Sequence, residues 1–219
     1  MKIHRAGYPV ILKFFLILLV INAIVYVIWC VGLALYISLT ASGLLLLFVL
    51  RFFRCPNRKL PAITDSTVLC PADGTIVAIE EIDEQNIVMG KRIQVSIFMS
   101  VWNVHINWVP ASGIVKQVIH FDGNFTRAIT PKSSDLNEHT AVVVNRPKGE
   151  PVMVKQVAGA VARRILTYIK DDDKCAAGDE MGFIRFGSRV DVLLPLDYDV
   201  KVALGQKVTG RKTIIAEQK

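Results

Sequence analysis

The chain has 219 residues, is 52% hydrophobic and carries a formal net charge of +7. The excess is confined to one end: residues 1–59 hold seven Lys or Arg (Lys2, Arg5, Lys13, Arg51, Arg54, Arg58, Lys59) and no Asp or Glu, whereas residues 60–219 hold nineteen of each sign. Because that basic end flanks an apolar segment, a membrane surface accounts for the charge and nucleic acid does not.

From Phe14 to Leu50 no residue is charged, a run of 37 positions. One helical span needs about 20 apolar residues, so the run reads as two short spans joined near Gly32 to Ser38. Basic residues lie at both ends, which puts both ends on the cytoplasmic side and requires an even number of crossings or a re-entrant hairpin. A cleaved signal peptide is disfavoured by the length of the run and by the basic cluster that follows it. A surface-lying amphipathic helix would need a polar face, and there is none. Residues 1–59 are therefore a membrane anchor with a basic juxtamembrane linker, placing the protein in the cell membrane with the remainder facing the cytoplasm. Cys30 falls in the apolar run, and Cys55, Cys70 and Cys175 are far apart, so neither a zinc site nor a disulfide framework is expected.

Residues 60–219 suffice for one domain with its own core, and the periodicity is mostly that of strands. Val68–Cys70 and Thr75–Ile79 flank a Pro71-Ala72-Asp73-Gly74 turn. Ile93–Met99, Gly113–His120, Ala141–Val144 and Val152–Val157 follow. The stretch 159–168 is ambiguous between helix and strand on pattern alone, and its valines and isoleucines favour strand. Phe121 to Asn137 reads as a loop, and Lys170 to Lys174, with three consecutive aspartates, as a solvated charged turn with no metal. From Gly178 to the end, short alternating strands are separated by Gly or Asp turns, as in biotinyl and lipoyl carrier domains, although no carrier-lysine setting is present. The expected fold is a mainly β (α+β) soluble domain with carrier-like β-sandwich features, preceded by a transmembrane helical hairpin.

Three side chains stand out within this pattern. Asp73 sits in a turn, His105 closes an apolar run (Ser100-Val101-Trp102-Asn103-Val104-His105), and Ser188 follows Gly187 between two strand-like segments. Hydroxyl, imidazole and carboxylate are the parts of an activated-nucleophile set. A Gly-Ser pair alone is merely a common turn.

With PADG at 71–74, SVWNVH at 100–105, QVAGAVARRI at 156–165 and FGS at 186–188 in order, the chain resembles the short-form phosphatidylserine decarboxylase proenzymes from about Phe52 almost to its end. That resemblance implies self-cleavage between Gly187 and Ser188 into a β chain (1–187) and an α chain (188–219). Ser188 would become a covalent pyruvoyl group, with His105 as the base and Asp73 orienting it. It implies a carboxy-lyase that converts phosphatidylserine to phosphatidylethanolamine and carbon dioxide, and it implies homo-oligomers. One departure concerns the proton donor: Trp102 stands where longer members carry a second histidine, so either another group protonates the carbanion or His105 serves in both steps, His120 and His139 being the remaining histidines of the soluble domain. Phe186 and Arg189 replace the usual neighbours of Gly-Ser. Arg189 is either an ordinary exposed arginine or a contact for the lipid phosphate or carboxylate. Two alternatives stay open at this point: a decarboxylase for an archaetidylserine-type lipid, and a non-enzymatic membrane adaptor on a carrier-like sandwich. The second predicts no self-cleavage and sets no requirement that Asp73, His105 and Ser188 meet.

Overall fold

The computed structural model describes residues 2–123, 137–159, 165–185 and 188–219. The chain divides into two compact units, Met1–Asn57 and Arg58–Lys219.

The first unit is a helical hairpin. Helix α1 (Tyr8–Trp29) begins with a proline in its first turn, and α2 (Leu33–Phe52) begins after Gly32. At 22 and 20 residues they measure about 33 and 30 Å, matching a hydrocarbon core of about 30 Å. Both are apolar on every side, with Phe15, Leu16, Leu44 and Leu47 exposed, as a span facing lipid must be. The join falls at Cys30–Gly32, slightly earlier than the sequence reading placed it, and Leu33 to Ser38 are helical. Cys30 takes a positive φ of 54° and donates its N–H to Tyr26 O, which ends α1 there. Midway along, Asn22 Nδ2 donates to Ser42 Oγ at 2.8 Å and Asn22 Oδ1 accepts from Ser38 Oγ at 2.8 Å. Such polar pairs hold helices together in lipid at about 1 kcal/mol each. The two ends of the hairpin are tied by a short antiparallel pair, β1 (Lys2–Ile3) with β2 (Arg54–Cys55). Both termini of the unit therefore lie at the same end of the helix pair, as an even number of crossings requires.

The second unit is mainly β. Its strands are β3 (Thr67–Leu69), β4 (Gly74–Glu84), β5 (Gly90–Met99), β6 (Ile106–Trp108), β7 (Gly113–Phe121), β8 (His139–Asn145) and β9 (Val152–Ala158). They continue with β10 (Ile165–Thr167), β11 (Lys174–Cys175), β12 (Glu180–Ile184), β13 (Ser188–Leu194), β14 (Tyr198–Val200), β15 (Lys207–Val208) and β16 (Ile214–Gln218). An eight-stranded antiparallel sheet runs β11-β7-β8-β9-β13-β5-β4-β15, and two three-stranded sheets run β10-β12-β6 and β14-β16-β3. One core gathers Val190, Val192 and Leu194 of β13 with Val95, Ile97 and Met99 of β5 and Val152 and Val154 of β9. It also takes in Val68, Met181, Ile184 and Ile215 from the smaller sheets. The other face of the large sheet carries a smaller cluster of Ala141, Val143, Met153 and Leu193. This is the period-two alternation of strands covered on both faces.

Of the ambiguous stretch 159–168, Ile165–Thr167 is strand, while 160–164 lie outside the described residues, as do 124–136 of the expected loop. The aspartate turn is built on backbone contacts: Asp171 Oδ1 accepts from Val118 N at 2.7 Å and Asp173 Oδ2 from Lys170 N at 2.8 Å.

The β4–β5 hairpin is closed by Glu84, whose carboxylate accepts the amides of Asn86, Ile87, Val88 and Met89. Met89 and Gly90 at its tip have positive φ of 46° and 91°, and glycine meets that demand without strain. Burial pushes the Glu84 carboxyl up, but the amides of Ile87, Val88 and Asn86 outweigh it and hold it below the usual range. A folded value below the unfolded one gives stability that is fully present above about pH 4.3 and lost as pH falls through the folded value. Glu84→Gln is therefore expected to lower the melting temperature near neutral pH and to flatten its decline on acidification. Thermal melts across that acid range read both effects.

Candidate functional site

The site is built around the end of β5. In register, Ser188 of β13 faces Met99 on one side, while Thr75 of β4 faces Phe98 on the other. Asp73, one residue before β4, and Ser188, the first residue of β13, thus flank the same strand end. Two strand spacings separate their strands, about 10 Å. The chain leaves β5 through a turn in which Ser100 N and Oγ both donate to Asn103 Oδ1, at 2.8 and 2.7 Å. His105 follows, and its carbonyl accepts from Ile184 N at 3.2 Å at the end of β12. Segments far apart in sequence therefore converge at one end of the sheet. Gly187 lies outside the described residues.

The side chains within that convergence are arranged differently from the expected chain of hydroxyl, imidazole and carboxylate. Ser188 is fully buried and its Oγ donates to Met99 Sδ at 3.3 Å, a weak acceptor. His105 is also fully buried, packs 6.4 Å from the Phe183 ring, and has Nδ1 3.0 Å from Asn103 O. A carbonyl only accepts, so Nδ1 carries the proton and the lone pair of the neutral ring is on Nε2. The backbone of Asn103 thus fixes the tautomer. The Asp73 carboxylate is held elsewhere: Arg58 grips it through Nη1 at 2.6 Å and Nη2 at 2.7 Å, and Gly210 N donates to Oδ1 at 2.9 Å. Among the described residues, Asp73 and Ser188 are not hydrogen-bonded to each other or to His105.

A second buried layer was not anticipated from the sequence. Asn107 and Gln156 are fully buried. Asn107 Nδ2 shares the Met99 sulfur at 3.6 Å, its Oδ1 accepts from Gln156 Nε2 at 2.7 Å, and Gln156 Oε1 accepts from Thr167 Oγ1 at 3.3 Å. A side chain at Gly182 would come within 2.8 Å of the Gln156 amide and 2.3 Å of Leu166 O, so glycine makes room for this network. The available signal was a polar residue interrupting each of two apolar strands, at 107 and 156. Asn107→Leu is expected to cost about 1–3 kcal/mol, the penalty of stranding a buried amide. Denaturant unfolding of the uncleaved chain measures it.

The remaining candidates lie apart. His139 shares its face with Arg189, opposite to that of Ser188; its Nδ1 is 2.8 Å from Asn137 O and its ring stacks on Phe121 at 4.6 Å. His120 is half-exposed on β7, three strands from β13, beside Thr140 and Glu138. Arg189 is 2% exposed, paired with Asp191 at 2.6 Å and donating to Ser96 Oγ at 2.9 Å. It is a buried ion-paired side chain, unlike the ordinary exposed arginine. Cys70, next to the Asp73 turn, is fully buried and donates Sγ–H to Ala72 O; burial pushes its thiol up to about 12. It cannot supply a thiolate at neutral pH.

The arrangement defines a mainly β protein with a serine and an imidazole sealed in its core, in a chain that also carries a membrane-type helical hairpin. A family model described as phosphatidylserine decarboxylase matches residues 45–216, and the chain belongs to that family. It is 48% identical over 216 residues to a phosphatidylserine decarboxylase proenzyme of Parabacteroides distasonis, covering 99% of this chain and 98% of the relative. It is 46% identical to the proenzyme of Bacteroides thetaiotaomicron over 100% of this chain and 96% of the relative. With that of Porphyromonas gingivalis it shares 50% identity over 83% of this chain and 82% of the relative.

Proposed function

We propose that this protein is a self-processing, pyruvoyl-dependent carboxy-lyase that converts phosphatidylserine to phosphatidylethanolamine and carbon dioxide. Residues 58–219 form the catalytic unit and residues 1–57 the anchor. The observation that carries the reading is the position of Ser188: fully buried, first in the central strand β13, directly after glycine, and, among the described residues, bonded only to a thioether.

That setting suits a nucleophile. A hydroxyl on a weak acceptor gives up little when it turns toward the preceding carbonyl. The Nε2 lone pair of His105 takes the hydroxyl proton. Ser188 Oγ then bonds the Gly187 carbonyl carbon as the C–N bond breaks, leaving an ester and a free amine at 188. Removal of the α-proton of residue 188 expels the Gly187 carboxylate. Water then displaces ammonia, so that residue 188 ends as a pyruvoyl ketone. Bound to the chain, that group supplies an electron-accepting carbonyl for loss of the substrate carboxylate. Asp73 completes the set at the flank of β5. Both products stay together because β13 is hydrogen-bonded to β5 and β9, β15 to β4, and β16 to β3. The apolar helices would keep the enzyme at the bilayer where its two-chain substrate resides, and the basic flanks support a catalytic unit on the cytoplasmic side.

The test is carbon dioxide release from carboxyl-labelled phosphatidylserine in mixed micelles, with the lipid product identified by mass. Equimolar labelled gas and phosphatidylethanolamine support the reading. Turnover of an archaetidylserine analogue alone would move the substrate to that lipid. A purified chain that neither cleaves nor releases label would return it to an adaptor.

A further inference from the structure

Arg58 was read from the sequence only as one of seven basic residues near the membrane segment. It makes more polar contacts with the Asp73 turn than any charge-screening role needs. Its guanidinium takes both oxygens of Asp73 and also donates to Gly210 O at 2.8 Å, while Gly210 N donates back to Asp73 Oδ1. Its plane lies over the Trp108 ring, 5.0 Å from the centroid. The two charged side chains are 10% and 11% exposed. A side chain at Gly210 would strike the Trp108 ring at 2.4 Å, so the residue that receives the pair must be glycine. Arg58, Asp73 and Trp108 lie before the proposed cut and Gly210 after it.

The contacts continue from this clamp to both reacting groups. Asp73 precedes Gly74, where an added side chain would come within 2.2 Å of Phe98 O, so the turn is pressed against the end of β5. The next residue, Met99, holds the Ser188 hydroxyl. The turn beyond it delivers the Asn103 carbonyl that fixes the His105 ring. Resting on the self-cleavage reading above, we propose that Arg58 is a positioning residue for that step: it holds Asp73 and Gly210 as one clamp that sets the end of β5, and thereby Ser188 and His105. Asp73 then acts through the clamp, and ring orientation belongs to Asn103. Arginine suits the task because its planar fork meets both carboxylate oxygens while its charge sits over an aromatic face; the compact ammonium of lysine cannot make the two-point contact.

The experiment follows cleavage of the full chain, synthesised as a labelled pulse into lipid nanodiscs and chased, with fragments weighed. Wild type that never cuts would sink the self-cleavage reading itself. Given a wild type that cuts, Arg58→Ala is expected to slow cleavage by on the order of tenfold to a hundredfold, the scale of small misplacements near reacting atoms. Millimolar guanidinium should restore the rate where sodium does not, which separates a lost contact from a misfolded chain. Asp73→Asn should slow cleavage comparably, the double variant should be no slower than either single one, and the midpoint of the pH–rate profile should stay at its wild-type value. Cleavage of Arg58→Ala at or above the wild-type rate would overturn the proposal, showing that Arg58 merely occupies a carboxylate needed elsewhere. So would a shifted midpoint in Asp73→Asn, which would make Asp73 the direct partner of His105.

Discussion

Ser188→Ala is expected to yield a single uncut chain and no decarboxylation above background, while wild type yields fragments ending at 187 and beginning at 188, the second blocked to N-terminal sequencing. The contrast is all-or-none because residue 188 supplies both the attacking oxygen and the carbon skeleton of the proposed pyruvoyl group. Folding should survive. Among the described residues the hydroxyl is bonded only to Met99 Sδ, so its removal is expected to cost about 0.5–1.5 kcal/mol. The strand around it keeps its pairing with β5 and β9. Intact mass and a thermal melt of the same preparation decide the matter together. A folded variant that still cuts at this bond would remove Ser188 from the chemistry, and a folded wild type that stays whole would remove the cut.

His105→Gln should leave the serine in place and take away the base. Positioned proton transfer contributes about 10²–10⁴-fold, so cleavage should slow by roughly a thousandfold, from a chase of minutes to one of days. Added imidazole should not rescue it, since His105 is fully buried. Restoration by imidazole would mean that the site opens to solvent before the cut. An unaltered rate would mean that a different group takes the proton.

Much of this arrangement was legible in the sequence because strand periodicity is local and the core needed it. Val190, Val192 and Leu194 announce a buried face in one dimension, and the structure puts all three in the central core. The hairpin was equally plain, since an uncharged run of this length has few other uses. Side-chain partners were harder. Nothing in the spacing of Arg58, Asp73 and Gly210 shows that they meet, because the encounter depends on β15 returning to pair with β4. Asn103 was invisible for another reason: its backbone carbonyl orients His105, and any residue has a carbonyl. Arg189 misled because a charged residue beside a turn is usually solvated, whereas here Asp191, two residues along the same face, pairs with it inside the sheet.

The placement of β13 between β9 and β5 also sets the thermodynamic order of the molecule. Before the cut, that strand reaches its slot as part of one chain, and melting is unimolecular. If the proposed cut before Ser188 is made, the same strand belongs to a separate polypeptide, and unfolding releases two species. The apparent melting temperature of cut enzyme should then rise with protein concentration, while that of Ser188→Ala should not. Cooled from the melt, the cut pair must find each other by diffusion.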